Sequence, residues 1–402
     1  MKLKLGVIFG GNTVEHEISI ITAIQAMENL DQEKYDIVPI YISKDKIWYT
    51  GKLLMDIGLY KNFDDLKGYA KKCVLYNKNG KYVLQSTGLF KRTLTELDLV
   101  FPIVHGNNAE DGTLAGYLET IGIPYVGSRV LGSALGQDKV VQKQVLSEEK
   151  LPIVKYVWFY DNEYFLNRDE IIDNIEKIGY PVVVKPATLG SSIGIRVAKD
   201  KQELDGAINE AIKYDNKIIV EQVIKNLIEV NCAVLGNYEY QETSYIAEMK
   251  LKNEILTFND KYIGNGSGGK KGNTIKNSSS MDNSDFKIPA SLDEKMTNEI
   301  YDLAKKTFRV LNLSGVVRVD FLIDSRENKV YINEPNIIPG SLAFYMFDKK
   351  TKNYTKLLDE LITLAIKDYK KRSKKITSFD NNVLSTYNAN GAKGSKKFKT
   401  QE

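Results

Sequence analysis

At 402 residues the chain is too long for one small core, and at roughly 100 to 200 residues per domain it has room for two or three domains and a deep cleft between them. Hydrophobic residues make up 43% and charged residues 27%, close to the averages of folded globular proteins, which excludes general disorder. The net charge of +4 gathers largely in the lysine-rich C-terminal end, so nucleic acid is not an expected partner, and two cysteines, Cys73 and Cys232, exclude a disulfide framework or a Cys-rich metal site by count.

The N-terminal Met1 to Phe9 places basic residues before an apolar run that is too short for a signal sequence and meets Gly10-Gly11; it reads as a first buried strand. No run reaches the roughly 20 apolar residues of a membrane span. A cytoplasmic protein with reduced thiols and no membrane partner is the expectation. Leu3 to Phe9 is followed by a glycine loop and a helical pattern from about Ile18 to Leu30. Asp36 to Ile42 reads as a second strand, and the stretch to about Lys91, rich in Gly, Asn and Lys, as surface hairpins. Leu97 to Val104 reads as a buried strand running into the polar cluster His105 to Gly112, and an amphipathic helix continues to about Ile121. This alternation predicts an open, mostly parallel sheet, in which ligands gather beyond the carboxyl ends of the strands.

A helix is expected over Gln137 to Lys150, ended by Leu151-Pro152, and strands at Pro181 to Lys185, Ile193 to Val197 and Lys217 to Glu221. A further unit opens at Val230 to Leu235 and closes near Lys371. Inside it, Asn259 to Ser284 is poor in large apolar residues and rich in Gly, Ser, Asn and Lys, the composition of a lid loop. Residues 372–402 read as a weakly ordered basic tail.

Two constellations carry chemistry. Lys185-Pro186-Ala187-Thr188-Leu189-Gly190-Ser191-Ser192-Ile193-Gly194 lies between two predicted strands. Its glycines and serines free backbone N–H groups to curl around anionic oxygens, and the lysine adds a point charge, as in phosphate binding. The spacing is not that of a P-loop, and a glycine-rich hairpin turn would share the composition. The second is Arg318-Val319-Asp320 in one strand and Asn333-Glu334-Pro335-Asn336 at the end of the next. Pairing those strands would gather Asp320, Glu334 and Asn336, hard oxygen ligands suited to Mg²⁺ on a nucleotide, with Arg318 on the face of Asp320. A surface hairpin with an ordinary salt bridge is the plainer alternative.

The strings G-G-N-T-V-E-H-E-I-S from Gly10, H-G-N-N-A-E-D-G-T-L-A-G from His105, P-Y-V-G-S-R-V-L-G-S-A-L-G-Q-D-K from Pro124, K-P-A-T-L-G-S-S-I-G from Lys185, and R-V-D-F-L with N-E-P-N-I-I-P-G after Val317 resemble, in order, the motifs of D-alanine:D-alanine ligases of the ATP-grasp superfamily. The resemblance spans about residues 3–370. It implies an α/β, three-domain ATP-grasp fold: a Rossmann-like N-terminal (preATP-grasp) domain over residues 1–127, a central subdomain over 128–220, and a C-terminal subdomain over 221–371 with a lid at 259–284.

The implied activity is ATP-dependent carboxylate–amine ligation through an acyl phosphate, joining two D-alanines for peptidoglycan. The implied cofactors are ATP and two Mg²⁺ ions, with Mn²⁺ as the alternative ion, and the partners are D-amino acids, with room for a homodimer. Carried over by motif, Glu15 would hold the first substrate's amino group with His105 near the same pocket. Lys139, Lys185 and Lys261 would contact ATP phosphates, Glu221 the adenine region and Glu229 the ribose. Asp320, Glu334 and Asn336 would bind the metal. Arg318 and the Gly340 N–H would stabilise the acyl phosphate and the tetrahedral intermediate, and Ser191 and Tyr262 would link to Glu15 and close the lid.

After Gly340 the family usually continues with a Thr-Ser-x-Ser-Leu type segment for the second substrate's carboxylate. This chain reads Ser341-Leu342-Ala343-Phe344-Tyr345-Met346, with Tyr345 where the family's serine stands, so Ser341, Leu342 and Tyr345 become the substrate-site candidates. Two alternatives stay open: a ligase for a different amino or hydroxy acid at the second site, and a non-catalytic nucleotide-binding regulator.

Overall fold

The computed structural model of the chain describes residues 2–61, 63–250, 286–348 and 352–378. The expected lid at 259–284, with Lys261 and Tyr262, and the tail beyond residue 378 lie outside the described residues.

The chain opens with β1 (Leu3–Gly10), α1 (His16–Asn29) and β2 (Tyr35–Ile42), and β1 and β2 pair in parallel. Leu5, Val7, Ile8 and Phe9 are all fully buried, as a strand covered on both faces requires. Then come β3 (Trp48–Thr50), α2 (Phe63–Tyr69), β4 (Lys71–Lys78), β5 (Lys81–Ser86), β6 (Thr93–Leu97) and β7 (Leu99–Ile103), in the sheet order β6-β5-β4-β3-β2-β1-β7. The single buried strand expected over Leu97 to Val104 is interrupted at Asp98, whose N–H donates to Lys4 O at 2.9 Å while Lys4 N–H donates to Asp98 Oδ2 at 2.8 Å.

The mostly parallel sheet is a misreading that the structure corrects: only β2-β1-β7 pair in parallel. The connections 43–47, 79–80 and 87–92 are too short for a crossover, so β3, β5 and β6 return antiparallel. Asn79-Gly80, with φ of 53° and 83°, forms the tight turn that joins β4 to β5, one of the expected surface hairpins.

Three helices follow, α3 (Thr113–Ile121), α4 (Val130–Gln137) and α5 (Lys139–Glu148). The helix expected over Gln137 to Lys150 is thus split from an unforeseen α4 by Asp138, which caps α5 by accepting from Val140 N and Val141 N. α4 needs its glycines because it lies directly on its neighbours. A Cβ on Gly132 would stand 2.3 Å from Asn312 O, and one on Gly136 would stand 2.7 Å from Ile337 Cγ2.

The second sheet contains β8 (Tyr156–Tyr160), β9 (Val182–Pro186), β10 (Arg196–Ala198) and β11 (Lys217–Gln222) in the antiparallel order β10-β9-β11-β8. α6 (Asp161–Leu166), α7 (Arg168–Glu176) and α8 (Lys201–Ile212) accompany it, and Ile172, Ile175, Leu204 and Ile208 join Val182, Val184, Ile218 and Val220 in one buried cluster. The strand expected over Ile193 to Val197 begins later, because Ser191, Ser192 and Gly194 adopt left-handed φ of 54°, 59° and 72° and keep the chain in a loop.

The third sheet has the antiparallel order β14-β13-β12-β15-β16, from β12 (Leu227–Gly236), β13 (Gln241–Met249), β14 (Phe286–Lys287), β15 (Gly315–Asp324) and β16 (Lys329–Asn336). On one face, Val230, Cys232 and Val234 cluster with Ile300, Leu303 and Phe308 of α9 (Glu294–Val310). On the other, Ala233 and Leu235 share a core with Phe347 of α10 (Phe344–Asp348), Leu357 and Leu361 of α11 (Tyr354–Arg372), and Leu5, Phe9 and Met27 of the first sheet and α1. At about 1.5 to 3 kcal/mol for each large apolar side chain fully buried, this shared core fixes the first sheet against the third. As a proposal for the division of the chain, the central unit extends through Gln222 and the C-terminal unit through Arg372, since boundaries at 220 and 371 fall inside β11 and α11.

Candidate active site

Two pockets meet between the sheets. One, of about 700 Å³, is lined by Glu15, His105, Lys139, Ser191, Arg318 and Gly340, among others. The second, of about 810 Å³, is lined by Lys185, Glu221, Glu229, Ile224 and Leu322, among others, and Asp320 and Glu334 line both.

In the first pocket Glu15 stands at the N-terminus of α1 and is buried. The Ser191 hydroxyl donates to Glu15 Oε1. The two loops around this carboxylate approach closely, so that glycine is required at Gly106 and a side chain at Gly190 would press on Glu15 itself. A Cβ on Gly190 would lie 3.0 Å from Glu15 Oε2, and one on Gly106, where φ is 80°, would lie 2.2 Å from Thr13 Oγ1. The phosphate-type loop thus bends over Glu15 at Gly190-Ser191 and reaches the second pocket at Ser192.

His105 is buried, with Nε2 3.1 Å from Thr22 Oγ1 and the ring hydrogen-bonded to the Ile338 backbone. Thr22 Oγ1 accepts from Ser341 N at 3.3 Å, so its own proton is available to Nε2, and the neutral ring keeps its proton on Nδ1. Burial, assisted by the Arg318 charge, pushes the imidazole down to about 4, while the Ile338 contact opposes the shift. The unfolded chain therefore takes up a proton near 6.5 that the folded chain refuses until about 4, and stability is lost as pH falls through that window. His105→Gln is expected to remove about 3 kcal/mol of that loss in denaturant titrations run across the window. His16, also depressed by burial, is expected to sustain the remainder. An unchanged pH profile would show that His105 is not held neutral.

Ser341, Leu342 and Ala343 are buried with left-handed φ near 51°. Ser341 Oγ donates to Gln25 Oε1 at 2.8 Å, which turns this hydroxyl toward α1. The Tyr345 ring lies 5.4 Å from Phe286, and its hydroxyl is hydrogen-bonded with Arg318. Tyr345 therefore meets the site through Arg318.

The register of β15 and β16 puts Arg318 opposite Asn336 and Asp320 opposite Glu334. Arg318 forks onto Asp320, with Nε to Oδ1 at 2.8 Å and Nη2 to Oδ2 at 2.9 Å, and Asn336 Nδ2 donates to Asp320 Oδ2 at 3.0 Å. Lys139 Nζ donates to Leu189 O at 2.6 Å and stands 3.2 Å from Glu334 Oε2. Among the described residues no group of three or more His, Cys, Asp or Glu side chains is placed to hold a metal by itself. Two carboxylates and the Asn336 amide oxygen fit an ion that brings phosphate oxygens and water as its remaining ligands.

On the second pocket's wall Lys185 Nζ lies 2.6 Å from Glu221 Oε2. Lys143, fully buried, stands 3.1 Å from Glu221 Oε1 and donates to Asn333 O at 3.3 Å. Burial alone would raise the Glu221 carboxyl, but the two ammonium groups overcome it and bring it to about 2. Lys185 is raised despite burial, chiefly by Glu221, whereas burial lowers Lys143. The Glu221 carboxylate, expected at the adenine region, is thus engaged by two lysines at the pocket wall.

Sequence reasoning missed two residues here. Lys143 lies one helical turn after Lys139, a spacing that puts both on one face of α5. Glu110 sits inside the His105 motif and accepts from Gly106 N at 2.6 Å and Ile338 N at 3.1 Å, tying the two loops of the first pocket together. Burial, then the nearby Glu15 charge, pushes its carboxyl up to about 8.

Residues 4–128 match the family model described as D-ala D-ala ligase N-terminus, and residues 145–363 match the one described as D-ala D-ala ligase C-terminus. The chain belongs to the D-alanine–D-alanine ligase family. It is 40% identical over 383 residues to a D-alanine–D-alanine ligase of Thermosipho melanesiensis, covering 95% of this chain and 98% of that one. To that of Caldicellulosiruptor bescii it is 40% identical over 385 residues, covering 93% and 97%. Among solved structures it resembles the D-alanine–D-alanine ligase of Coxiella burnetii, with a TM-score of 0.75, 30% identity and coverage of 93% and 96%. It also resembles the VanG D-Ala:D-Ser ligase of Enterococcus faecalis, with a TM-score of 0.74, 30% identity and coverage of 91% and 100%. The fold of this D-alanine–D-alanine ligase family member is therefore of the ATP-grasp type, and none of its described helices is long and apolar enough to cross a membrane.

Proposed function

We propose that the chain is a cytoplasmic ATP-dependent ligase that joins two D-alanines through an acyl phosphate for peptidoglycan synthesis. The observation that carries this reading is the shared wall of the two pockets: Asp320 and Glu334 face both the lysine-lined pocket and the one holding Glu15. A phosphoryl group passing from nucleotide to substrate has to cross at such a point.

Glu15, fixed by the Ser191 hydroxyl, offers a carboxylate to the first substrate's ammonium, and neutral His105 bounds the same pocket. Lys139 and Lys185 supply positive charge for the phosphates, Lys261 falls in the undescribed segment, and Glu229 suits the ribose hydroxyls. Asp320, Glu334 and Asn336 would hold two Mg²⁺ ions, or Mn²⁺, which supply charge neutralisation for the phosphate oxygens when bound. Arg318 and the Gly340 N–H stabilise the acyl phosphate and the oxyanion formed as the second amine attacks. Tyr262, also in the undescribed segment, completes the Glu15–Ser191 link in this reading. The chemistry asks the protein mainly to position two substrates and neutralise oxygens.

A second reading, a different second substrate, is favoured by Tyr345 on Arg318 and by Ser341 turned toward Gln25. Purified protein given ATP and Mg²⁺ with D-alanine alone, or with D-alanine plus D-serine or D-lactate, separates the two by product mass. D-alanyl-D-alanine as the main product in mixtures supports the first reading, and a mixed product supports the second. Absence of both product and phosphate release would sink both.

A further inference from the structure

Lys143 raises a question of charge. It lies on α5 with its side chain fully buried, at the wall of the nucleotide pocket but not lining it. An apolar side chain would fill the same space without the cost of taking an ammonium out of water. What Lys143 touches is Glu221, whose two oxygens are divided between Lys143, 3.1 Å from Oε1, and Lys185, 2.6 Å from Oε2. The three groups together carry one net positive charge. Without Lys143 the remaining Glu221–Lys185 pair would be neutral, and the Lys185 ammonium would be held to the carboxylate as its sole counter-charge. With Lys143 present, Glu221 has a second counter-charge behind it, and Lys185 can turn a donor outward.

We propose that Lys143 is a positioning residue that leaves the Glu221–Lys185 pair with a surplus positive charge directed at the phosphates of a bound nucleotide. Lys185 has three N–H donors; one is on Glu221, and Asn333 Oδ1 stands at the limit of contact, 3.5 Å away. A donor therefore remains for a phosphate oxygen in the pocket that Lys185 lines. Inside a poorly screened site one unit of charge is felt strongly over these short distances, whereas an uncharged nucleoside would not sense it.

The inference rests on the nucleotide reading of this pocket, and one calorimetric series separates the two. ATP and adenosine are titrated into the wild-type chain, Lys143→Met, and Lys143→Met combined with Glu221→Gln, which restores the net charge. Lys143→Met is expected to weaken ATP about 10- to 100-fold and adenosine by less than about twofold, and the double variant, whose Glu221 change can weaken adenosine and ATP alike, to return the ratio of ATP to adenosine affinity to within about threefold of wild type. An equal loss for adenosine in Lys143→Met, a double variant with an affinity ratio no better than that of the single, or unchanged ATP binding by Lys143→Met overturns the proposal. If Lys143→Met does not fold by circular dichroism, the double variant decides: a near-wild-type ratio of ATP to adenosine affinity supports the charge account, and a tenfold fall in that ratio sinks it. A wild-type chain that binds no ATP removes the nucleotide reading itself.

Discussion

Glu334→Gln is expected to abolish ligation while leaving the fold intact. Glu334 sits opposite Asp320 in the β15–β16 pairing, and its carboxylate lines both pockets, so its charge faces the point where phosphate oxygens and the first substrate would meet. Replacing one oxygen with an amide removes a unit of negative charge from a donor set that already has few members. A hard divalent cation then loses one of its two carboxylates, and the expected fall in turnover is at least about 10³-fold, roughly 4 kcal/mol. Stability should barely move. The side chain is 26% exposed, and Lys139 keeps its hydrogen bond to Leu189 O at 2.6 Å. Dipeptide formation measured over a range of Mg²⁺ concentrations, together with thermal unfolding, checks both halves. Near-wild-type turnover at saturating Mg²⁺ would remove Glu334 from the metal site.

The parts readable in the sequence were those in which a short stretch fixes its own geometry. Gly10-Gly11 after an apolar run places a loop and then a helix, and β1 and α1 follow as read. Arg318 and Asp320 two apart in a strand share a face, and the register with Glu334 and Asn336 brought all four together, at the end of β16 but against the middle of β15 rather than at one end of the sheet. The parts not readable depend on partners far along the chain. The first sheet turned largely antiparallel because of connection lengths, whose effect is topological. Helix α4 gives no outward signal, since Gly132 and Gly136 look like helix breakers until Asn312 and Ile337 are seen against them. Glu110 and Lys143 are ordinary charged residues in the sequence. They acquire roles only because Ile338, 228 positions away, and Glu221 are brought to them.

Arg318→Ala is expected to depress turnover by about 10²- to 10³-fold, some 3 to 4 kcal/mol, with little change in the Michaelis constant for ATP. The split follows from placement. Arg318 lines the pocket that holds Glu15 and His105 but not the one lined by Lys185, Glu221 and Glu229, so its charge is directed at the reacting carboxyl group rather than at the nucleotide's body. The guanidinium is held rigidly by its two bonds to Asp320 and by Tyr345, and a preorganised donor of that kind stabilises developing negative charge without reorganising during the reaction. Its loss also has a structural cost. Of these contacts Asp320 would keep the Asn336 amide, and leaving a nearly buried carboxylate short of donors costs on the order of 1 to 3 kcal/mol in stability. Arg318→Lys tells the two effects apart, because it retains the charge yet cannot reproduce the paired N–H bonds of the fork. It should recover part of the turnover while remaining less stable than wild type. Steady-state kinetics in ATP and D-alanine, with unfolding measured in parallel, give the answer. If Arg318→Ala raised only the Michaelis constant for ATP and left turnover alone, Arg318 would belong to nucleotide binding, and the oxyanion role would pass to Gly340 alone.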